Sequence, residues 1–232
     1  LHAGHAAEVG VRAGQGAAHG VTGVPDILEG EVGFGAALAR DPDWSIATAG
    51  LGERYNILSI TQKNHGCCGH TFAAIDAALA LREGGLRPQD VASLRVDAYQ
   101  TALDVTGNFQ PATAFEAKFS LPYVVAHALV HGSVRLDAFG EERLRDPQVR
   151  GLMRRLDLKA DPDLTAGFPK MRAARLTATT HGGAVHEHFA PYRKGDPESP
   201  LSDADLNDKF AELAGPVLGS ARARALRDAV WR

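Results

Sequence analysis

The sequence predicts an α+β fold: part of an all-helical domain formed by both chain ends, with an inserted α+β lid domain. Helical patterns dominate the two ends of the 232-residue chain, two alternating apolar runs in its middle indicate a β-hairpin, and no internal repeat is found. We expect residues 1–60 to form part of the helical domain and residues 61–200 to form the lid. Residues 201–232 are expected to return to the helical domain as its last helices.

The first elements are predicted to be helices. Residues 2–20 are rich in alanine, which favours helix, and glycines stand between the alanines although each costs about 1 kcal/mol there. So many small residues indicate a helix that packs closely against its neighbours. A second helix is predicted over residues 26–40, because Pro25 stands near its first turn and a polar, proline-containing turn follows at 41–43.

The middle of the chain mixes helices with strands. A polar loop at residues 61–69 (TQKNHGCCG) leads into a helix predicted over 70–83, which ends at two glycines. Residues 181–183, His-Gly-Gly, predict the turn of the hairpin. The other predicted elements are a strand at 93–99, helices at 119–130 and 146–156, hairpin strands at 173–180 and 184–189, a linker at 191–201, and helices at 202–214 and 219–231.

The composition excludes several classes of function. The formal net charge is −3 and the 25 lysines and arginines are scattered, so nucleic-acid binding is not expected. No apolar run approaches the roughly 20 residues of a membrane helix, and the two cysteines are adjacent, which argues against disulfides and fits a reducing cytoplasm. No P-loop, dinucleotide-binding glycine pattern or G-x-S-x-G motif is present, so nucleotide and serine-hydrolase chemistry lack support.

The densest group of chemically useful side chains lies at residues 63–71, where a helix is predicted to begin. The free N–H groups of that helix, the charge of Lys63 and the flexible glycines would together hold a carboxylate, and histidines suit proton transfer near neutral pH. The alternatives are an ordinary polar loop and a zinc site, although structural zinc sites normally use separated ligand pairs. We predict Lys63, His65 and His70 as catalytic residues, and Gly66, Cys67, Cys68 and Gly69 as substrate-binding residues.

A second candidate group surrounds the start of the helix predicted over 119–130. Lys118 and Tyr123 flank this helix N-terminus and are predicted to bind substrate, with capping and core packing as the alternative interpretation for this segment. His127 and His131 stand at i, i+4 spacing on the same helix, where they either pair or divide between core and solvent.

Four stretches, in this order and spacing, resemble the MmgE/PrpD family, whose members dehydrate 2-methylcitrate or decarboxylate cis-aconitate. The stretches are LHAGHAAEVG at the start, KNHGCCGHTFAAIDAAL, FEAKFSLPYVVAHALVHG, and KGDPESPLSDADLNDKF near the end. The resemblance implies a helical domain with an α+β lid, a homodimer, and a site that uses neither a metal nor an organic cofactor. It also implies that about the first half of a family chain is absent here and that the chain begins within the active-site region, so we predict His2 as substrate-binding.

The resemblance extends to one site residue and fails at two others. Lys63 matches the family's lid lysine, which helps to form the substrate pocket. Cys68 stands where the decarboxylating members have a histidine, and Phe72 stands at the position of another family histidine, whereas His65 and His70 are present instead. These departures weaken a decarboxylase assignment and leave the substrate open.

From these residues we expect a cofactor-independent carbon–oxygen lyase that dehydrates a small hydroxy-polycarboxylate such as 2-methylcitrate. Removing a proton beside a carboxylate and expelling hydroxide both build negative charge, so the site should be cationic and largely dry. Lys63 would hold carboxylate oxygens and Tyr123 would donate a hydrogen bond. His65 or His70 would act as the acid or base. The alternatives are decarboxylation or epimerisation of a related polycarboxylate, and a catalytically incomplete fragment that serves in dimerisation.

Overall fold

The computed structural model describes residues 2–232, and the chain divides into two compact units, Leu1–Tyr55 and Asn56–Arg232. The first unit contains α1 (His2–Ala18) and two short helices, α2 (Phe34–Leu38) and α3 (Ser45–Thr48). The predicted first helix is therefore confirmed. Within the described part of the chain none of its residues is buried, so the close packing predicted for it is not observed.

The helix predicted over residues 26–40 is wrong except for α2. Turns occupy residues 25–29, and Gly33 has an extended conformation at the N-cap of α2, which a continuous helix does not allow. Glycine is the residue that most readily leaves helical geometry, and Gly30 stands three residues earlier. The proline and the turn that bound this segment therefore do not enclose one long helix.

The second unit combines helices with a small sheet. Its helices are α4 (Phe72–Glu83), α5 (Gln100–Thr106), α6 (Ala114–Ala117), α7 (Leu121–His131), α8 (Glu141–Leu144), α9 (Pro147–Met153), α10 (Pro162–Gly167), α11 (Asp203–Leu218) and α12 (Ser220–Val230). Its strands are β1 (Val91–Ala98), β2 (Leu156–Ala160), β3 (Ala174–Thr180) and β4 (Val185–Ala190). Short 3₁₀ turns lie at Asn56–Ser59, Gly69–Thr71, Pro88–Asp90 and Leu136–Phe139.

The sheet has its strands in the order β2-β1-β3-β4. The central strand β1 is parallel to β2 and antiparallel to β3, and Val96 lies opposite both Leu158 and Leu176. The hairpin of β3 and β4 is confirmed. Gly183 in its turn has a φ of 83°, a left-handed conformation that glycine adopts readily.

The helix predicted over residues 146–156 is too long, because its last residue belongs to strand β2. The helix α9 ends at Met153, and the strand begins at Leu156. Leu156 and Leu158 are too few apolar side chains to signal a strand locally, so the strand depends on its pairing with β1. The helices α5 and α10, which the sequence did not predict, flank this part of the sheet and contact each other.

The core of the second unit forms around α4 and α7. These helices pack on each other, and α4 also packs on β3 and β4. Alanines dominate the buried face of α4 and allow close approach, while larger side chains fill the remaining space, each contributing about 1.5–3 kcal/mol. The fully buried large side chains include Phe72, Ile75, Leu94, Leu121, Tyr123 and Leu176.

Caps and a terminal glycine define the ends of two helices of the second unit. The Ser120 hydroxyl accepts from the Tyr123 N–H at 3.2 Å at the start of α7, and Gly132, with a φ of 74°, ends that helix. A capping box of Ser202 and Asp205 begins α11, which continues through Pro216 beyond its predicted end. The α+β class is thus confirmed, whereas a single helical domain built from both chain ends and a lid at 61–200 stays a prediction. Within residues 2–232, no helix combines the length and apolar character needed to cross a membrane.

Candidate functional site

The loop at residues 63–68 borders a cavity of about 370 Å³ in the second unit. A volume of this order suits a small molecule. The lining includes six residues that the sequence predicts for the site: Lys63, His65, Gly66, Cys67, Cys68 and Lys118. The other lining residues are Asn64, Phe119, Arg135, Leu136, Lys209, Glu212 and Leu213.

Backbone hydrogen bonds hold this loop against two other segments. The Gly66 N–H donates to the Val134 carbonyl oxygen at 3.1 Å, and the Cys68 N–H donates to the Lys118 carbonyl oxygen at 2.9 Å. A Cβ on Gly66 would lie 3.3 Å from the carbonyl carbon of Arg135, so glycine permits this close approach. These contacts bring Lys118 and Arg135, which are distant from the loop in sequence, to the same cavity.

The cavity is cationic. Four lysine and arginine side chains line it against one glutamate, although the whole chain carries a net charge of −3. A concave surface lined mainly by one sign of charge concentrates ligands of the opposite sign. The four cations are Lys63, which is exposed, the half-buried Lys118 and Arg135, and Lys209.

Helix α11 supplies part of this arrangement. Lys209 Nζ donates to the Lys63 carbonyl oxygen at 2.6 Å, and the Glu212 carboxylate accepts from the Leu136 N–H at 3.0 Å. Glu212 also lies 3.7 Å from Arg135 Nη1, and within residues 2–232 this buried nitrogen has no hydrogen-bond partner. Arg135 therefore lines the cavity while it lies close to the Glu212 carboxylate.

His65 is buried beside the cavity and is hydrogen-bonded to Asp76. Its Nε2 lies 2.9 Å from Asp76 Oδ1, and the other oxygen of Asp76 accepts from the Lys194 backbone N–H at 2.7 Å. The ring also meets Phe72 edge to face, with the centroids 5.1 Å apart. These contacts fix the orientation of the ring.

His70 and Gly69 lie outside the cavity lining. Gly69 begins a 3₁₀ turn, and His70 Nδ1 hydrogen-bonds with the Tyr99 hydroxyl at 2.7 Å. Burial lowers the pKa of His70, and the charges of Arg172 and Arg193 lower it further. The His70 side chain therefore contacts Tyr99, and the loop before the helix, not the helix N-terminus predicted to hold a carboxylate, borders the cavity.

Tyr123 and His2 are also placed away from the cavity lining. Tyr123 is fully buried and its hydroxyl donates to the Ala138 carbonyl oxygen at 2.5 Å. Burial raises the pKa of Tyr123 to about 12. Its placement favours the alternative interpretation, core packing, over substrate binding. His2 is exposed in α1 of the first unit.

The two adjacent cysteines differ in accessibility. The Cys67 thiol is buried and lies 3.3 Å from Thr71 Oγ1, and burial raises its pKa to about 12. Cys68 is half-buried. Of the two thiols, Cys68 is therefore the one more accessible to a ligand in the cavity.

The described residues 2–232 contain no group of three or more His, Cys, Asp and Glu side chains placed to hold a metal ion. The two histidines of the HGCCGH stretch engage separate partners, since His65 contacts Asp76 and His70 contacts Tyr99. These side chains therefore do not converge on one centre. A reaction that needs no metal stays a prediction.

Two histidines on α7 form a separate pair, of which His127 is buried and His131 is half-buried. His127 is 0% exposed, its Nδ1–H donates to the Ser133 carbonyl oxygen at 2.9 Å, and its ring centroid lies 4.5 Å from that of His131. His131 Nε2 lies 2.8 Å from Asp146 Oδ2. The two rings thus pair, with His127 in the core. Burial is the main cause that lowers the pKa of His127, and the neighbouring His131 acts in the same direction.

We expect the protein to lose stability as the pH falls below about 6.5, the usual pKa of an unfolded histidine. Because the folded pKa of His127 is lower than that, the unfolded chain binds more protons in this range and unfolding becomes more favourable. Thermal melts from pH 7.5 to pH 5.0 check this, with His127→Gln expected to show a smaller pH dependence. An equal dependence in both proteins would contradict the assignment to His127.

The sequence did not single out four residues that the structure brings to the site. Asp76 stands in an ordinary apolar helix, Arg135 follows a helix end, and Lys209 and Glu212 lie on an amphipathic helix. Asp76 and Lys209 carried one signal, because they belong to the second and the last of the four stretches that resemble the family. Arg135 and Glu212 are found through tertiary contacts alone.

Comparison with known proteins gives two findings. Residues 65–232 match the sequence model of the MmgE/PrpD C-terminal domain. The chain is also similar to cis-aconitate decarboxylase from Homo sapiens, with 29% identity over 224 residues, and from Mus musculus, with 28% identity over 227 residues. The cis-aconitate decarboxylase-like protein oryM from Aspergillus oryzae is 25% identical over 201 residues.

The alignments cover much of this chain and less than half of each relative. They include 94% of this chain for the two mammalian proteins and 79% for the fungal one. The corresponding shares of the relatives are 46%, 46% and 39%, so the chain spans about half the length of the relatives it matches, or less.

Proposed function

The chain belongs to the MmgE/PrpD family, and from this premise we propose that its second unit binds a small polycarboxylate in a lyase. The observation that carries the proposal is the cationic cavity beside His65, with four basic side chains against one acidic side chain. A substrate with two or three carboxylates matches this charge, and the fixed imidazole lies beside it.

The proposed chemistry assigns separate tasks to the cations and to the histidine. Lys63, Lys118 and Arg135 bind carboxylates and neutralise the charge that develops as a proton leaves the adjacent carbon. His65 acts as the acid or base, and Asp76 holds its ring in place. Carboxylate binding by the cations and proton transfer by His65 are the only steps in this scheme. We therefore propose that the reaction needs neither a metal nor an organic cofactor.

Dehydration of a hydroxy-polycarboxylate such as 2-methylcitrate is the first candidate reaction. It requires a proton acceptor and a cationic environment for the departing hydroxide, both of which the cavity offers. The second candidate is decarboxylation, which the names of the relatives favour. Cys68 weighs against it, because the resemblance implies a histidine there in decarboxylating members. Product analysis with 2-methylcitrate, citrate and cis-aconitate separates the two, since only decarboxylation releases carbon dioxide.

Three features of the whole protein are part of the proposal. We propose a homodimer, a cytoplasmic location, and a helical domain to which both chain ends contribute. The apolar surface of α11 and α12 supports the last feature, because Leu213, Val217 and Leu226 are exposed on it.

Lys63→Ala in the full-length protein tests the polycarboxylate site. A charge-assisted contact at an exposed position contributes about 1–2 kcal/mol, so tricarboxylate affinity should fall about five- to thirtyfold. Calorimetric titration with citrate measures this. Lys63→Arg should restore only part of the affinity, because a planar guanidinium does not replace a compact ammonium.

Lys159→Ala is the matched control. Lys159 is an exposed lysine on β2, so its loss should leave both affinity and melting temperature unchanged. Equal citrate affinity in Lys63→Ala and the wild type would remove Lys63 from the site. A loss shared by both variants would show a general charge effect and no specific contact.

A further inference from the structure

The turn Arg193–Asp196 is built around a buried ion pair. Arg193 and Asp196 are 9% and 8% exposed, and two arginine nitrogens donate to the two carboxylate oxygens at 2.9 and 2.6 Å. Burial alone would raise the pKa of Asp196, but the hydrogen bonds from Arg193 and Thr61 outweigh it and lower the pKa. The carboxylate therefore stays charged, and the pair gives the turn a single rigid shape.

The turn holds the beginning of the cavity loop. The Gln62 N–H donates to the Gly195 carbonyl oxygen at 2.8 Å. The Thr61 hydroxyl donates to Asp196 Oδ1 at 2.7 Å and accepts from Arg193 Nη2 at 2.9 Å. Both residues directly precede Lys63, so the turn determines where the cavity loop starts.

The same turn reaches His65 through Asp76. The Lys194 N–H donates to Asp76 Oδ2 at 2.7 Å, and Asp76 Oδ1 lies 2.9 Å from His65 Nε2. The Lys194 side chain continues outward to Asp205 of α11, at 3.3 Å. One short segment is thus connected to the loop, to the imidazole and to the helix that carries Lys209.

Gly195 is required at the centre of this contact. Its φ is 104°, in the left-handed region, and a Cβ at this position would overlap the Gln62 carbonyl oxygen. Any side chain here would push the loop away from the turn. The segment therefore combines a conformational requirement with a steric one, and both act on the cavity loop.

We propose that the turn Arg193–Asp196 is a positioning element that sets the cavity loop and, through Asp76, the His65 imidazole. The proposal deepens the proposed function and rests on it for its catalytic meaning. Its structural part concerns only the loop and the ring, so it is testable without any substrate. None of the four turn residues lines the cavity, and the effect is therefore indirect.

Gly195→Ala in the full-length protein is the test, with Gly183→Ala as the matched control. Gly183 also has a left-handed φ, of 83°, but has open space around it, so the control carries the same backbone strain without the overlap. Hydrogen exchange should become about tenfold faster at residues 61–68 in Gly195→Ala, while β1 keeps its protection. In Gly183→Ala, residues 61–68 should exchange as in the wild type.

A second readout follows the imidazole. Nitrogen-15 signals of the His65 ring should shift in Gly195→Ala, and the pH profile of turnover should move with them. A purely structural role would lower the melting temperature and leave that profile in place. Unchanged exchange at residues 61–68 together with unchanged ring signals would overturn the proposal.

Asp196→Asn keeps the test decisive if Gly195→Ala does not fold. It retains the shape of the side chain and removes the charge that pairs with Arg193, and Asp157→Asn on the exposed face of β2 is its control. Faster exchange at residues 61–68 and shifted His65 ring signals are again expected, and unchanged values of both would overturn the proposal. If the wild type transforms no polycarboxylate, the proposed function fails, whereas the exchange and ring measurements still decide the positioning role.

Discussion

His65→Gln is expected to lower turnover of the polycarboxylate substrate by about 10²- to 10⁴-fold, the usual contribution of a general acid or base. The amide of glutamine occupies similar space and still hydrogen-bonds to Asp76, so the loop should keep its position. It does not take up or release a proton near neutral pH. Proton transfer is therefore removed while the carboxylate-binding cations remain.

Steady-state kinetics and citrate titration separate these two effects. Citrate affinity should stay within about a few fold of wild type, because His65 is not one of the four cations. His181→Gln is the control, since His181 is an exposed residue in the β3–β4 turn. Wild-type turnover in a folded His65→Gln protein would assign the acid or base role to another residue.

Phe72→Ala is expected to lower the free energy of unfolding by about 3–5 kcal/mol, the range for truncating a buried aromatic residue. Phe72 is 0% exposed at the start of α4, and its ring contacts His65. Urea denaturation measures the loss, and the His65 ring should become more mobile at the same time.

Phe115→Ala provides the comparison for this truncation. Phe115 is 72% exposed, so the same loss of side chain should change the free energy of unfolding by no more than about 0.5 kcal/mol. Equal losses in the two variants would show that α4 does not organise the core. A small loss in Phe72→Ala alone would mean that the neighbouring side chains refill the space.

The elements that could be predicted from the sequence carry their own local signals. Helix α4 follows a loop and ends at two glycines, α7 has a serine cap and a terminal glycine, and the hairpin has a His-Gly-Gly turn. Each signal acts within a few residues and does not depend on the rest of the chain. That is why the helix and hairpin boundaries agree closely with the structure.

The elements that were missed depend on distant partners. Strand β2 has five residues and owes its conformation to β1, about 60 residues earlier in the chain. The short helices α5 and α10 likewise have seven and six residues, too few for a clear periodic pattern. The helix predicted over 26–40 is the opposite error, because start and stop signals were present at Pro25 and at 41–43 and glycines interrupted the segment between them.

The same distinction applies to the candidate site. The 63–68 loop was identified because its side chains are adjacent in sequence, and the structure places them along one cavity. Asp76, Arg135 and Lys209 come from three other elements, and no spacing along the chain relates them to the loop. For Tyr123, the sequence showed a polar group near a helix start but not that the hydroxyl would be used by Ala138.

The strand order has a consequence for synthesis of the chain. The central strand β1 ends at Ala98, and its antiparallel neighbour β3 ends at Thr180, 82 residues later. A ribosome adds about 5–20 residues per second, so roughly 4–16 s pass before β3 is complete. Both edges of β1 are open until β2 is complete at Ala160, and the β3 edge of β1 and the face of α4 that β3 and β4 later cover stay open to other nascent chains throughout that time. This segment is therefore where co-translational aggregation would begin.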